Sequence, residues 1–168
     1  MHSRNSDSPP VPRCLWKAAP SSDEAATRSL AAALAKQLRP GSWVFLEGPM
    51  GSGKSTFARA LIEGLGFEIP PEGSPTFALA HEYEQPGIPR TVHLDLYRIE
   101  NEEELEASGI PAMFWESPGA ILLSEWTSNF SALERALFED PRHDRWRVVL
   151  DPVEGEPALR SILIERLG

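Results

Sequence analysis

Apolar residues in the first part of this chain recur at the spacing of a helix turn. Leu30, Leu34 and Leu38 lie four residues apart, which predicts a helix over 23–38 with one buried face. The preceding residues 21–24 read Ser-Ser-Asp-Glu, the pattern of a capping box in which the Ser21 hydroxyl caps a free backbone amide. We therefore expect an amphipathic helix that packs against a larger apolar surface.

The next segments predict a strand followed by a helix. Residues 43–46 form a short, continuously apolar run, which is typical of a strand in a parallel sheet covered on both faces. After a glycine-rich loop, residues 55–65 show helical spacing, and Gly66 is a natural C-terminal stop. Asn101 is positioned to cap a short helix that runs to 108. The same pattern predicts strands at 13–17, 76–83, 91–96, 120–123, 145–150 and 159–165, and a helix at 131–138.

The loop between the predicted strand and helix carries the candidate chemistry. Residues 48–55, Gly-Pro-Met-Gly-Ser-Gly-Lys-Ser, match the phosphate-loop (P-loop) pattern G-x-x-x-x-G-K-[ST] in full. Glycines let the backbone wrap around phosphate oxygens, successive amides form an anion-binding nest, and the helix N-terminus adds its dipole. Lys54 supplies a charge to the β- and γ-phosphates, and the Ser55 hydroxyl can bind magnesium. The predicted nucleotide-binding residues are Gly51, Ser52, Gly53, Lys54, Ser55 and Thr56.

The order of elements indicates an α/β fold class. We expect a three-layer P-loop NTPase-like fold with a mainly parallel sheet, in which the last two strands form a C-terminal β-hairpin. A length of 168 residues fits one domain, which we place at 13–168. Residues 1–12 lack the apolar core of a signal peptide and are expected to be a disordered lead-in.

Composition narrows the class of partner. The formal net charge is −9, which disfavours a broad footprint on a nucleic-acid backbone and favours a small anion or a protein partner. The longest apolar run is far too short to cross a membrane, and a single cysteine, Cys14, cannot form an internal disulfide. A cytoplasmic protein is the simplest interpretation.

Two acidic residues follow apolar stretches and are candidates for the magnesium-holding carboxylate of a P-loop enzyme. Asp95 ends Val-His-Leu-Asp, and Glu125 follows Ile-Leu-Leu-Ser. Either residue can be that acid, and both can equally be ordinary carboxylates at a sheet edge. His93 taken alone is more typical of a structural histidine than of a base. The segment 74–77, Ser-Pro-Thr-Phe, taken alone is more typical of a plain turn than of a switch loop that reaches the γ-phosphate.

Taken together, these motifs resemble one family. The P-loop is followed by Ser-Pro-Thr-Phe at 74–77, by His-Leu-Asp-Leu-Tyr-Arg at 93–98 and by Glu-Trp at 125–126. The chain therefore resembles the bacterial TsaE (YjeE) family, the ATPase of tRNA threonylcarbamoyladenosine biosynthesis. The resemblance implies a small ATPase of low intrinsic activity that binds ATP and Mg²⁺. It implies work with the partner proteins TsaB and TsaD, which modify position 37 of tRNA, so that tRNA is reached only through the complex.

The resemblance also assigns roles to individual residues. It implies that Ser55 and Glu125 are magnesium ligands, that Asp95 is needed for hydrolysis, and that Thr76 belongs to a switch-like loop near the γ-phosphate. Glu24 and Arg160 are expected to approach the nucleotide. The family's loop usually reads Asp-Leu-Gly-Ala-Gly-Lys-Thr, whereas residues 49–55 here read Pro-Met-Gly-Ser-Gly-Lys-Ser. Loss of the Asp can change nucleotide affinity, while Ser keeps the hydroxyl that metal binding needs.

Three other functions compete with this interpretation. A small-molecule kinase needs an arginine-rich lid, and the arginines after the P-loop helix, such as Arg90 and Arg98, are scattered. A nucleotide-gated binding module would use ATP only to change partner affinity, and Asp95→Ala would leave it functional. A GTPase is disfavoured because the sequence lacks an Asn-Lys-x-Asp motif for reading the base.

Overall fold

A seven-stranded mixed sheet forms the centre of the computed structural model, which describes residues 14–21, 23–69 and 79–168. The strands are β1 (Cys14–Ser21), β2 (Trp43–Glu47), β3 (Ala80–Gln85), β4 (Ile88–Asp95), β5 (Ile121–Glu125), β6 (Arg145–Val153) and β7 (Glu156–Arg166). Their order across the sheet is β1-β7-β6-β2-β5-β4-β3. The four central strands are parallel, since β2 pairs in parallel with β6 and β5, and β5 with β4. The outer pairings are antiparallel, including the C-terminal hairpin of β6 and β7.

Helices cover both faces of this sheet, which confirms the predicted three-layer α/β fold. They are α1 (Glu24–Ala35), α2 (Lys54–Leu65), α3 (Glu102–Ala107), α4 (Ile110–Glu116) and α5 (Ser131–Phe138). On one face, apolar residues of α1 and α2, such as Leu34 and Phe57, pack on Val148 of β6. On the other face, α3, α4 and α5 pack on β2, β4 and β5, with Phe114 and Leu94 among the buried residues. Val92 and Leu94 of β4, and Leu96 just after its end, are all buried in this second cluster.

Two predictions about the N-terminal half are wrong. The cap of α1 is Asp23, whose Oδ1 accepts a hydrogen bond of 2.8 Å from the amide of Ala26. Ser21 cannot serve because it is still in β1, paired in the sheet with Arg160 of β7. The helix also ends at Ala35 rather than at residue 38, although Leu38 still packs against the core.

Helix α4 is an element that the sequence did not predict. The sequence predicts Gly109 as the stop of the preceding helix. In the structure Gly109 has φ +72° and is also the residue just before α4, which begins at Ile110. Pro111 sits in the first turn of α4, where a missing backbone N–H costs nothing. The helix exists because Ile110 and Phe114, four residues apart, are both buried against the sheet. Part of the strand predicted at 76–83 falls in 70–78, outside the described residues; the described strand there is β3.

Candidate functional site

The candidate site is a cleft of about 370 Å³ at the ends of the parallel strands. The loop 48–53 leaves β2 there and leads directly into α2. In open α/β sheets, ligands bind outside the carboxyl ends of the strands, and this cleft lies in that position. Seven of the residues predicted from the sequence line it: Gly51, Gly53, Lys54, Ser55, Thr56, Asp95 and Glu125. The rest of the lining is Met50, Tyr97 and Trp126.

Glycines shape the loop where no other residue fits. A Cβ at Gly48 would lie 2.2 Å from the carbonyl oxygen of Leu150, on the neighbouring strand β6. Gly53 has φ +99° and is the residue just before α2 begins. As the N-cap residue, Gly53 has no side chain that could accept hydrogen bonds from the first backbone amides of α2. Gly53 therefore leaves these amides available to a ligand. Such a helix start favours an anion by its amides and its dipole.

The Lys54 side chain lies inside this loop and is only 4% exposed. Its Nζ donates hydrogen bonds to the carbonyl oxygens of Gly48 and Pro49, at 2.8 Å and 2.9 Å. The same ammonium sits 3.8 Å from the centre of the Trp126 ring, a cation–π contact. Burial lowers the pKa of Lys54, and the nearby carboxylates of Glu125 and Asp95 oppose that shift. The two hydrogen-bonded partners are neutral carbonyls, which leave the positive charge of Lys54 to attract an anion.

Of the two candidate acids, Glu125 is the one that is hydrogen-bonded to α2. It ends β5, is 2% exposed, and its Oε2 accepts a hydrogen bond of 3.1 Å from the Ser55 hydroxyl. Asp95 ends the neighbouring strand β4 directly opposite Glu125, and its Oδ1 accepts a hydrogen bond of 3.0 Å from the amide of Tyr97. The structure thus brings both candidate acids to one cleft and sets Glu125 beside Ser55.

The turn after Glu125 has a strained backbone. Trp126 has φ +66°, a left-handed conformation that residues other than glycine seldom adopt. Ser124 and Thr127, on either side, are hydrogen-bonded through their hydroxyls at 2.6 Å. This conformation turns the indole over Lys54. The centre of the Tyr97 ring lies 5.2 Å from the centre of the Trp126 ring. Trp126 belongs to the Glu-Trp motif at 125–126, but its place over Lys54 was not predicted from the sequence.

His93 is a further residue whose position the sequence reasoning missed. Its Nε2 lies 2.7 Å from Oε1 of Glu125, so it contacts a candidate metal ligand rather than the apolar core. The signal for this was present, since alternation along β4 places His93 and Asp95 on the same face of the strand.

A second, smaller cavity of about 190 Å³ adjoins the other side of the loop. It brings Glu24 and Arg160 together with Ser52, Gly53 and Thr56. That Glu24 and Arg160 approach a nucleotide stays a prediction. Glu24 also accepts hydrogen bonds from Arg28. Thr76 falls outside the described residues, so its place near the phosphates stays a prediction.

The chemistry of the donors suits a small hard cation. The Ser55 hydroxyl and the Glu125 carboxylate are oxygen donors 3.1 Å apart, the ligand type that Mg²⁺ takes in proteins. In the described part of the chain, His, Cys, Asp and Glu residues do not group in threes or more as a complete metal site would need. A magnesium ion here would therefore complete its shell with phosphate oxygens and water.

None of the helices in the described ranges is long and apolar enough to cross a membrane.

Several known proteins are similar to this chain. The family model described as threonylcarbamoyl adenosine biosynthesis protein TsaE matches residues 21–151. The tRNA threonylcarbamoyladenosine biosynthesis protein TsaE of Nostoc is 38% identical over 109 residues, which cover 62% of this chain and 64% of that protein. The protein of the same name from Streptomyces coelicolor is 33% identical over 145 residues, 84% of this chain and 90% of its own. The crystal structure of Bacillus subtilis YdiB has a TM-score of 0.64 at 24% identity, over 96% of this chain and 90% of that one, and shows the same fold.

Proposed function

The chain belongs to the TsaE family of threonylcarbamoyl adenosine biosynthesis proteins, and from this premise we propose that it is an ATP-binding and ATP-hydrolysing subunit of that pathway. In this proposal the chain is a magnesium-dependent P-loop ATPase of low intrinsic rate. It is not itself the threonylcarbamoyl transferase. It acts in the cytoplasm with TsaB and TsaD on the modification of tRNA position 37.

The observation that carries the proposal is the pair of Ser55 and Glu125 directly beside Lys54 at the start of α2. The amides of the loop and the ammonium of Lys54 would hold the β- and γ-phosphates, because this is where backbone dipoles and a buried charge converge. Ser55 and Glu125 would hold Mg²⁺, which when bound neutralises charge that develops on the phosphate oxygens. The cavity that contains Glu24 and Arg160 would face the nucleoside part of ATP.

We assign to Asp95 the role of positioning the water that attacks the γ-phosphate. It ends β4 opposite Glu125 and lines the same cleft as Lys54 and Ser55. The amide of Tyr97 holds one of its oxygens at 3.0 Å, which fixes the direction of the carboxylate. From there Asp95 would accept a hydrogen bond from the attacking water and orient it toward the γ-phosphate.

The charge of the chain supports an indirect role toward tRNA. With 25 acidic and 16 basic residues, the chain has no excess of positive charge with which to bind a phosphate backbone on its own. TsaB and TsaD would therefore supply the tRNA-binding surface, and the chain would supply the energy of ATP hydrolysis.

The test is ATP hydrolysis by the purified chain, alone and with its TsaB and TsaD partners. We expect the pair to stimulate hydrolysis and Asp95→Ala to abolish the stimulation while ATP still binds. Glu116→Ala, an exposed acidic residue at the end of α4, is the control and should keep the full rate. Equal rates with and without the partners would refute the complex-dependent ATPase. An Asp95→Ala chain that still supports tRNA modification would show a nucleotide-gated binding module instead.

A further inference from the structure

We propose that His93 is a positioning residue for magnesium, which holds the Glu125 carboxylate in the orientation that the cation requires. The inference rests on the proposed function, because it concerns the same site and the same cation. It adds a residue that touches neither the phosphates nor the metal and acts only through Glu125.

The contacts of Glu125 carry this proposal. Each carboxylate oxygen has its own partner: Oε1 lies 2.7 Å from Nε2 of His93, and Oε2 lies 3.1 Å from the Ser55 hydroxyl. A glutamate side chain has several rotatable bonds, and two contacts on opposite oxygens remove most of that freedom. Since an ionised carboxylate can only accept hydrogen bonds, His93 donates from Nε2.

The sheet explains how His93 reaches this position. Strands β4 and β5 are parallel neighbours, with His93 opposite Leu123 and Asp95 opposite Glu125. The flanking residues Val92 and Leu94 point into the opposite core, so His93 shares the face of the sheet that carries the site. Its side chain is 15% exposed and that of Glu125 is 2% exposed, so water competes little for the contact.

A buried partner of a metal-binding carboxylate has a measurable effect on the metal. In known metal sites, groups that orient the ligands change metal affinity by about 10- to 100-fold when they are replaced. His93→Leu removes the donor and keeps a side chain of similar bulk. His93→Gln keeps an N–H that can take the place of Nε2, so it is the matched rescue variant.

The experiment is calorimetric titration with a non-hydrolysable ATP analogue, first in a chelator and then over a series of Mg²⁺ concentrations. We expect the wild type, His93→Leu and His93→Gln to bind the analogue alike without Mg²⁺, because the loop and Lys54 are unchanged. Mg²⁺ should raise the affinity for the analogue. His93→Leu should need about a tenfold higher Mg²⁺ concentration than the wild type to reach half of that increase, and His93→Gln should behave like the wild type. A His93→Leu chain that fails to fold is replaced by His93→Asn, whose amide is too short to span the same distance.

Two results would overturn the inference, and a third would refute the proposed function. The same Mg²⁺ midpoint in His93→Leu and in the wild type would overturn the inference. A loss of analogue binding in the chelator as large as the loss with Mg²⁺ would overturn it too, because it would indicate a structural role. A wild-type chain that binds no analogue in either condition would instead refute the proposed function.

Discussion

Replacing Gly48 by Ala should destabilise the protein much more than replacing Gly51, although both glycines lie in one loop. A Cβ at Gly48 would lie 2.2 Å from the backbone oxygen of Leu150, at a φ of +143°. That oxygen belongs to β6, which is paired with β2, so the loop or the strand must move. A forced backbone conformation costs about 1–3 kcal/mol and overpacking costs about 1–3 kcal/mol more. We therefore expect a loss of about 2–6 kcal/mol in the free energy of unfolding.

Gly51 is the control because a Cβ there would have open space around it. Its φ is +75°, and the structure has nothing within 4 Å of the Cβ position. The expected cost is the left-handed backbone alone, about 1–2 kcal/mol. Urea unfolding followed by circular dichroism, without nucleotide, measures both variants on one scale. In thermal unfolding, at about 2–4 °C per kcal/mol for a chain of this size, Gly48→Ala should lower Tm by about 4–24 °C and Gly51→Ala by about 2–8 °C.

Equal losses in the two variants would refute the reasoning. They would mean that the close approach of the loop to β6 contributes nothing, and that the positive φ alone makes these positions glycine. A Gly48→Ala chain as stable as the wild type would show that the loop can lift away from Leu150 freely.

The remaining predictions concern charge. Lys54→Ala should weaken ATP binding by about 10- to 100-fold, because hydrogen bonds to charged groups are worth about 1.5–3 kcal/mol; unchanged affinity by calorimetry would contradict this. Glu125→Gln should lower magnesium-dependent hydrolysis while the unfolding temperature stays close to that of the wild type, and an unaltered rate would remove Glu125 from the site. A hydrogen bond from Arg142 holds the pKa of Asp140 well below its ordinary value of 3.8, so its ionised form stabilises the fold above that pH and the contribution is lost as pH falls below it. Asp140→Asn should therefore be less stable than the wild type near pH 7, and thermal unfolding at lower pH should show the gap closing; a constant gap would contradict the assignment.

The loop and the two acids could be predicted from the sequence because their signals are local. The P-loop pattern occupies eight consecutive residues, 48–55, and its meaning depends only on the strand before it and the helix after it. Asp95 and Glu125 each end an apolar run, and the ends of neighbouring parallel strands meet at one edge of a sheet. The structure therefore needed only to show which of them contacts Ser55.

The features that the sequence did not predict depend on contacts between distant residues. His93 and Glu125 are 32 residues apart, and their contact follows from the register of β4 on β5, which no local pattern gives. The pattern at 21–24 predicts Ser21 as a cap because nothing near it shows that β1 continues to pair with β7, almost 140 residues later. Helix α4 has only a weak signal of its own and owes its existence to the surface on which Ile110 and Phe114 pack.

The strand order has a consequence for how the chain acquires its site during synthesis. Strand β2 leads into the loop, and both of its neighbours, β5 and β6, lie later in the chain. A growing chain can therefore have the whole loop outside the ribosome while neither strand that supports β2 has been made. The loop should be able to hold a nucleotide only after residue 153, the end of β6, has emerged. ATP binding would then report that most of the sheet has assembled, and incomplete chains would remain without nucleotide.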